Sequence, residues 1–395
     1  MKLFLVAGEP SGDRLGAALM AGVSTFRPET AFGGVGGPAM QEQGLESLFP
    51  MEELSVFGLA EVLPKYLRLK RRLLETVEAA VAFGPDALVT IDSPDFCLRV
   101  AKEVRRREPG IRVAHYVAPS VWAWRPGRAA KMATHVDQVL ALLPFEPPYF
   151  EAVGLRCDFV GHPVASETQA TAEEISAFRA ATGIGDAPVL LALPGSRASE
   201  VARLAPAFGE ALRRILTYRR EFRVVVPAVE AMAGTVREAV ASWPGHPLVI
   251  APNESGGTGA ANLKPAAFGA AKLALAASGT VSLELAASAT PMAIAYDMNW
   301  ITWRIVSRLA RVDTVTLVNL VSETRAVPEF LGPGCRPGPI AGALLELIDS
   351  GAARQAQLDA MAETMRRLGR GGEPPGRRAA RAVLDGLGER IRPDA

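Results

Sequence analysis

The chain has 395 residues, 49% of them apolar, and its acidic and basic side chains almost cancel at a net charge of +1. This composition is typical of a globular protein of two or three domains and argues against a nucleic-acid-binding tail. The three cysteines are scattered and form no CxxC pair, which argues against a zinc site and a disulfide framework. The apolar N-terminus is too short for a signal peptide, and no apolar run reaches the roughly 18 residues of a membrane span.

Short apolar runs alternate with helical patterns in the first part of the chain. The runs are continuously apolar, which predicts a parallel sheet covered by helices on both faces. Helical patterns fill the stretches near 13–25, 61–82, 95–107 and 145–153. The predicted strands are KLFLVA (2–7), DALVTI (86–91), IRVAHYV (111–117), VDQVLALL (136–143) and CDFVG (157–161).

A second series of apolar runs follows the polar segment 165–175 and predicts a second domain of the same kind. Its members are PVLLALPG, FRVVVPA, HPLVIAP, KLALAASG and PMAIAY. The predicted fold class is α/β, with two Rossmann-like doubly wound domains facing each other across a cleft. We expect the domains at 1–165 and 166–373, followed by a basic helix at about 374–391 that can pack back on the first.

The loop AGEPSGD (7–13) follows the first predicted strand and can approach a ligand closely. Gly8 and Gly12 permit a tight turn, and Ser11 or Asp13 can cap the next helix. The loop lacks the GK[ST] of a P-loop. An ordinary strand–helix turn is the alternative.

The loop GGVGGPA matches the dinucleotide-binding pattern at Gly34, Gly36 and Ala39. It lies beyond the first strand–helix unit, however, and Pro38 stands where close helix packing is expected. A nicotinamide oxidoreductase is therefore kept only as an alternative.

The segment ALVTIDSPDF (87–96) carries two acids where a buried strand gives way to a helix. Ser93 can cap that helix, and Asp95 is stabilised in its first turn by the helix dipole. Asp92 has no such explanation. A carboxylate at the carboxyl end of a strand lies on the ligand rim of the sheet, where it can act as general base toward a hydroxyl nucleophile. Capping or a loop hydrogen bond is the competing explanation.

Aromatic and basic side chains alternate in HYVAPSVWAWRPGR. Trp122, Trp124 and Arg125 suit recognition of sugar rings and phosphate. A Trp pair also packs readily into a core. Single-stranded nucleic acid fits less well, because the chain has no basic excess.

Two further loops have the composition of anion-binding turns. Pro194–Arg197 opens a helix, so that backbone N–H groups and a planar guanidinium are available to phosphate. Ser278, Gly279 and Thr280 follow the same plan, and Glu284 returns to the same helix face one turn later, where it can hold ribose hydroxyls. Capped helices with solvent-exposed side chains are the alternative.

Two basic segments with apolar faces are candidates for contact with an anionic bilayer. The first carries Leu63 and Tyr66, and the second carries Trp300 and Trp303. Helices packed on the sheets with their basic groups in water are the alternative.

From its residues alone, the sequence predicts a two-domain α/β nucleotide enzyme. It has no Asp-x-Asp pair and no cluster at metal-ligand spacing, so we expect a reaction without metal or other cofactor. A non-catalytic nucleotide- or lipid-binding protein remains an alternative.

Taken together, the loops resemble those of the lipid-A-disaccharide synthase family. The similar segments are long, occur in family order and cover nearly the whole chain. They are AGEPSGD, GGVGGPAM, GLAEVLP, IDSPDF, HYVAPSVWAWRPGR, LLPFEPPYF, FVGHPV, LPGSRASEV, SGTVSLELA and VNLVSETRAVPEF.

The resemblance implies an inverting glycosyltransferase of the GT-B type, with an acceptor-side N-terminal domain and a UDP-sugar-binding C-terminal domain. Such an enzyme moves 2,3-diacylglucosamine from UDP-2,3-diacylglucosamine to the 6-hydroxyl of 2,3-diacylglucosamine 1-phosphate (lipid X), giving lipid A disaccharide 1-phosphate and UDP. It also implies a cytoplasmic enzyme, peripheral on the inner membrane of a Gram-negative bacterium, without a nucleic-acid partner. A homodimer is left open.

The resemblance also implies roles for individual residues. Asp92 matches the catalytic base, and Arg197 matches the arginine that faces the diphosphate. The other implied substrate- or UDP-binding residues are Glu9, Ser11, Ser278, Gly279, Thr280, Glu284, Asn319 and Glu329. Candidate acceptor or membrane contacts are Trp122, Trp124, Arg125, Leu63, Tyr66, Trp300 and Trp303.

One segment departs from the family pattern. The chain reads VSETR after VNL and LGP after PEF, so contacts from residues 321–332 are expected to differ. The nearest alternatives are other UDP-sugar enzymes of the same fold, such as the N-acetylglucosaminyl transferase of peptidoglycan assembly or an epimerase.

Overall fold

The computed structural model describes residues 1–54, 62–123, 127–252, 263–310 and 312–388, with backbone only at 62–66, 301, 305, 306 and 309. Within it the chain divides into two compact units. Unit 1 comprises Met1–Ser166 and Gly371–Ala395, and unit 2 comprises Glu167–Arg370. Unit 1 is therefore discontinuous in sequence.

Unit 1 is built on a parallel six-stranded sheet with the strand order β2-β1-β3-β4-β5-β6. The strands are β1 (Lys2–Ala7), β2 (Ala31–Val35), β3 (Ala87–Ile91), β4 (Arg112–Tyr116), β5 (Gln138–Ala141) and β6 (Arg156–Phe159). The helices are α1 (Pro10–Phe26), α2 (Pro38–Glu42), α3 (Val62–Phe83), α4 (Pro94–Arg107), α5 (Gly127–Met132), α6 (Pro147–Glu151) and, at the end of the chain, α16 (Pro375–Gly386).

Side chains of this sheet alternate between two buried faces. Leu3 and Leu5 pack with residues of α1 and α16, whereas Phe4 and Val6 pack with residues of α3 and α4. This burial on both faces is the arrangement that the continuously apolar strands predict.

Strand β2 was not predicted, because its sequence AFGGV is rich in glycine. It nevertheless pairs with β1 in parallel. Gly34 has a φ of 139°, and a Cβ there would lie 1.8 Å from the backbone oxygen of Leu5. The close pairing of the two strands therefore requires glycine at this position.

Unit 2 has a second parallel six-stranded sheet, with the order β12-β11-β10-β7-β8-β9. Its strands are β7 (Val189–Leu193), β8 (Arg223–Pro227), β9 (Leu248–Ile250), β10 (Ala271–Ala277), β11 (Met292–Tyr296) and β12 (Glu329–Leu331). Its helices are α7 (Ala172–Ala181), α8 (Ala198–Tyr218), α9 (Ala233–Val240), α10 (Leu263–Ala270), α11 (Val281–Ala287), α12 (Trp300–Leu309), α13 (Leu317–Ser322), α14 (Pro337–Asp349) and α15 (Gly351–Arg367).

The core of unit 2 forms where α8, α9 and α14 cover one face of its sheet. Leu190, Val224 and Leu275 of the strands pack there against Phe208 of α8 and Leu344 of α14. Two doubly wound parallel sheets confirm the predicted α/β fold class.

Helix α16 packs closely against α1 within unit 1. A Cβ on Gly376 would lie 2.6 Å from the backbone oxygen of Ala18, so the helices meet almost backbone to backbone. Ala380 and Leu384 are buried in the same core as the strands. The side chain of Gln138 fixes the helix further by donating to the backbone oxygen of Ala382 at 2.8 Å.

Candidate functional site

Each sheet has one point at which the strand order reverses. In unit 1 the chain runs from β1 to β2 and then returns to the other side of β1 for β3; in unit 2 it returns to the other side of β7 for β10. Ligands of open parallel sheets bind outside the carboxyl ends of the strands at this point. Near the two reversal points lie Glu9, Ser11 in the first turn of α1, Asp92, Arg197, Ser278, Gly279 and Thr280.

The loops after β1 and β3 are in direct contact. The hydroxyl of Ser11 donates to Oδ2 of Asp92 at 3.3 Å, and a Cβ on Gly8 would lie 2.7 Å from Oγ of Ser93. Ser11 is exposed and Asp92 partly exposed, so both polar groups are accessible to a ligand. Among the described residues, the bond from Ser11 is the one hydrogen bond recorded at the Asp92 carboxylate.

The backbone at Asp92 is strained. Asp92 and Ser93 both lie in the left-handed region, with φ values of 52° and 39°, and the N–H of Asp92 donates to the oxygen of Tyr116 at 2.9 Å. Consecutive non-glycine residues in this region are costly and are concentrated at functional sites. Ser93 does not cap α4 with its side chain, contrary to the sequence prediction, because its left-handed backbone replaces the usual extended cap geometry.

Asp95 has the structural role that the sequence predicts for it. It lies in the first turn of α4, is almost fully exposed, and pairs with Arg128 at 3.2 Å. The two acids of this segment therefore differ: Asp95 belongs to a surface ion pair, whereas Asp92 lies at the reversal point.

Cys97 lies beneath this site, and its thiol is inert. Its Sγ contacts the backbone oxygens of Val6 and Ile91 at 3.6 Å. Burial raises the pKa of the Cys97 thiol to about 12, and the nearby charges of Asp92 and Glu9 add to the effect. A protonated, buried thiol is a poor nucleophile.

Trp122 is a core residue, contrary to its prediction as a ligand contact. Its side chain is 7% exposed, its indole N–H donates to Oε1 of Glu146 at 3.2 Å, and its ring meets Phe145 edge to face at 5.2 Å. Burial raises the pKa of Glu146 to about 7, although the hydrogen bonds from Leu143 and Trp122 act in the opposite direction and lower this pKa. Trp124 and Arg125 lie outside the described residues.

Asp13 fills the turn that matches the dinucleotide-binding pattern. It is buried, and its carboxylate accepts from the N–H groups of Gly37, Ala39 and Met40 at 2.9 to 3.0 Å. It therefore binds the start of α2. The sequence offers Asp13 as a cap of α1, and the structure does not give it that role. Because the backbone donors that would hold a pyrophosphate are already occupied, this turn does not support a nicotinamide site.

The loop after β7 presents Arg197 to solvent. Arg197 precedes the first residue of α8, and 64% of its side chain is exposed. Nη1 of Arg197 donates to Oε1 of Glu200 at 2.9 Å, and the N–H of Ser196 donates to Oε2 of the same carboxylate at 3.1 Å. Sequence reasoning missed Glu200, although a Glu three residues into a helix is a recognisable capping signal.

The loop after β10 has open space beside it. Gly279 has a φ of 150°, and a Cβ there would meet no atom of the described residues within 4 Å. Glu284 lies one turn into α11 and forms an ion pair with Lys264 at 2.5 Å. Lys264 lies in the first turn of α10, so a cation from another helix pairs with Glu284. No local sequence pattern indicated this pair.

Asn319 and Glu329 stabilise the segment between α12 and β12. Asn319 is 1% exposed, and its amide donates to Thr314 Oγ1 and the Val327 oxygen while accepting from Val327 N–H. Glu329 accepts from Thr314 Oγ1 and from the N–H groups of Val315 and Thr316. Both side chains are thus engaged by internal hydrogen bonds, and their role in nucleotide binding stays a prediction.

The two basic segments differ in what they expose. On α3, Leu67 and Leu74 are exposed beside Lys and Arg residues, whereas the side chains of Leu63 and Tyr66 lie outside those described. On α12, Trp300 is 67% exposed. Trp303 instead packs against Gly332.

Neither a membrane span nor a cluster of potential metal ligands is found in the described part of the chain. No helix there is both long and apolar enough to cross a bilayer. Likewise, no three His, Cys, Asp or Glu side chains of the described ranges are grouped so that they could hold a metal ion.

Comparison with known proteins identifies relatives over nearly the full length. The profile of a family described as lipid-A-disaccharide synthetase matches residues 3–374. The lipid-A-disaccharide synthase of Ruegeria pomeroyi is 61% identical over 387 residues, which cover 98% of this chain and 96% of the relative. That of Rhodospirillum centenum is 50% identical over 391 residues, or 98% of this chain and 95% of the relative.

Solved structures share the fold at low sequence identity. UDP-GlcNAc 2-epimerase from Neisseria meningitidis, bound to UDP-GlcNAc, matches with a TM-score of 0.66 at 11% identity and covers 98% of this chain and 99% of its own. An Anabaena protein in complex with UDP and glucose matches with a TM-score of 0.58 at 15% identity, over 98% and 99% of the two chains. These likenesses support the fold alone.

Proposed function

Since the chain belongs to the lipid-A-disaccharide synthase family and is a glycosyltransferase of lipid A biosynthesis, we propose that its donor is UDP-2,3-diacylglucosamine. The proposed acceptor is 2,3-diacylglucosamine 1-phosphate, whose 6-hydroxyl attacks the anomeric carbon with inversion. The observation that carries the proposal is the pair of reversal points, one with Asp92 and Ser11 and the other with Arg197 and Ser278–Thr280.

Unit 2 is the proposed donor side. Arg197 offers a largely exposed guanidinium, which suits the planar oxygens of a diphosphate. Among the described residues, none lies within 4 Å of a Cβ placed on Gly279, which supports room for the diphosphate at the second loop. Glu284, partly exposed and held by Lys264, is in our proposal the ribose ligand.

Unit 1 is the proposed acceptor side, with Asp92 as the base. Its partly exposed carboxylate can take the proton of the acceptor 6-hydroxyl as that oxygen bonds to the anomeric carbon. The bond from Ser11 orients the carboxylate, and the strained backbone holds its position. Glu9, which immediately precedes α1, is a further proposed contact.

We propose that UDP leaves without the help of a metal or other cofactor. Charge develops on the diphosphate as the glycosidic bond to UDP breaks. Arg197 can stabilise this charge directly, and the backbone N–H groups of the loop after β10 add a preorganised field.

The enzyme is proposed to act as a peripheral protein on the cytoplasmic face of the inner membrane. Each substrate carries two acyl chains, so it must be taken from a lipid surface. Leu67 and Leu74 among the basic side chains of α3 are the proposed contact, with Trp300 of α12 as a second point.

The decisive test is Asp92→Asn, assayed with defined acylated substrates. We expect disaccharide formation to fall by about 1,000-fold, the middle of the range that one acid–base group contributes. UDP binding, measured by calorimetry, should stay unchanged because the donor side keeps all its groups.

Asp95→Asn is the matched control, since it makes the same chemical change three residues away in an exposed ion pair. It should retain near-normal turnover. Near-normal turnover of Asp92→Asn would instead remove Asp92 from the mechanism.

A further inference from the structure

Glu200 closes the loop that presents Arg197. It is the third residue of α8, a position from which a Glu reaches back over the helix start. Here one carboxylate oxygen accepts from the N–H of Ser196 and the other from Nη1 of Arg197. A single carboxylate thus joins the backbone of the turn to the guanidinium.

The carboxylate and the guanidinium are buried to very different extents. The side chain of Glu200 is 15% exposed, whereas that of Arg197 is 64% exposed. Gly195 has a φ of 123°, and a Cβ there would lie 2.5 Å from Cβ of Glu200 and 2.7 Å from its Oε2. Glycine therefore leaves the space that Glu200 fills beneath the turn.

The bond to Glu200 leaves most of the guanidinium open. It uses Nη1 of Arg197, and a guanidinium carries five N–H donors. The exposed remainder can therefore bind an anion while Glu200 keeps its place. This geometry favours Glu200 as a support for Arg197 over Glu200 as a competitor for the anion.

We propose that Glu200 is a positioning residue of the donor site, which fixes the guanidinium of Arg197 in the orientation that meets the diphosphate. This inference rests on the proposed function of Arg197. A long Arg side chain loses rotamer freedom when it binds a ligand. Because the bond to Glu200 already restricts Arg197, less conformational entropy is lost when the donor binds.

Two other roles for Glu200 give different results. A carboxylate that occupied the place of a phosphate would weaken UDP binding, so its removal would tighten it. A carboxylate that only stabilised the start of α8 would affect UDP binding equally with and without the Arg197 side chain.

The test is a double-mutant cycle with Arg197→Ala, Glu200→Ala and the combination, using UDP as the calorimetric probe. We expect each single variant to weaken UDP binding by about 10- to 100-fold, the usual effect of losing a charged hydrogen bond. The combination should bind no more weakly than Arg197→Ala alone. In turnover, Glu200→Ala should raise KM for the donor more than it lowers kcat.

Two further variants complete the test. Glu200→Gln keeps one acceptor oxygen, so it should bind UDP more tightly than Glu200→Ala, and it replaces that variant in the cycle if the alanine form does not fold. Glu210→Gln removes a carboxylate that pairs with Arg213 and Arg214 farther along α8 and should leave UDP binding unchanged.

The outcomes separate this inference from the proposed function. UDP binding by Glu200→Ala that is unchanged or tighter overturns it, as does an effect that persists undiminished without Arg197. If Arg197→Ala itself leaves UDP binding unchanged, the proposed donor site fails as well.

Discussion

The carboxylates of this protein take roles that depend on backbone groups distant in sequence. Asp13 follows a glycine turn in the sequence, yet it binds the N–H groups of Gly37, Ala39 and Met40. A single sequence indicates that an acid near a helix start can cap it, but not which helix. The same limit applies to Glu284, whose partner Lys264 comes from another helix.

The candidate site was predictable where chemistry and strand position coincide. Asp92 and Arg197 were singled out because polar residues at the ends of apolar strands are unusual. Burial was harder to predict, because Trp122 and Asn319 look like ligand residues until the structure provides internal partners for them. The left-handed backbone at Asp92 has no signal in the residue type.

His162 should make stability depend on pH in the acidic range. Burial lowers its pKa to about 4, and its Nδ1 accepts from the N–H of Val164 at 3.2 Å. Between the ordinary His pKa of 6.5 and about 4, the unfolded chain binds a proton that the folded protein does not. The stabilisation by neutral His162 is therefore present above pH 6.5 and is lost as the pH falls toward 4.

His162→Asn should reduce that slope by up to about 1.4 kcal/mol per pH unit, the limit for one proton. Asn keeps an acceptor for the N–H of Val164, and urea unfolding at several pH values measures the effect. The exposed His246→Asn is the control and should leave the slope unchanged. His115, whose pKa burial lowers to about 3, keeps part of the slope in both variants. An unaltered slope in His162→Asn would contradict the assignment.

Among the elements, α16 depends on close contact with α1. Gly376→Ala adds a Cβ only 2.6 Å from the backbone oxygen of Ala18, so the helices must separate. We expect a loss of about 1–3 kcal/mol in the free energy of unfolding, as for other overpacked sites. Limited proteolysis should release the C-terminal segment faster than in the wild type.

Gly342→Ala makes the identical change in α14, where the new Cβ would meet no atom within 4 Å in the part of the chain that the structure describes. Because alanine favours helix, this control should raise the free energy of unfolding by about 0.5–1 kcal/mol. Equal stability of the two variants would show that the α1–α16 contact adapts to the extra methyl group.

The apolar pattern of the sequence predicts most strands but not all of them. The apolar runs of β1, β3, β7 and β10 were predicted, and these strands flank both reversal points. Two edge strands were missed. β2 contains two glycines, and β12 (EFL) begins with an acid and has only two apolar residues, so neither has enough apolar pattern to detect.

At the scale of the whole molecule, vesicle binding tests the proposed membrane contact. The variant with both Leu67→Ser and Leu74→Ser should bind vesicles of phosphatidylglycerol and phosphatidylcholine at least about tenfold more weakly, because two apolar side chains no longer insert. Binding should also fall at high salt and without the anionic lipid. Flotation assays measure both effects.

Tyr218→Ser is the control, since Tyr218 is 72% exposed at the end of α8, a helix that carries no proposed membrane contact. It should bind vesicles like the wild type. Trp300→Ser is tested in parallel. Loss of binding in that variant alone would move the membrane contact from α3 to α12, and no loss in either would contradict the proposal.

The return of the chain to unit 1 has a consequence for biosynthesis. A ribosome completes all of unit 2 before it makes α16, because this helix of the first core follows unit 2 in the sequence. Until then the core that contains Leu19 and Met20 lacks Ala380 and Leu384. The core of the nascent first unit therefore stays incomplete, with apolar surface exposed, while some 200 residues (Glu167–Arg370) are translated. The second unit has no such delay, so it should be the first to reach its native state.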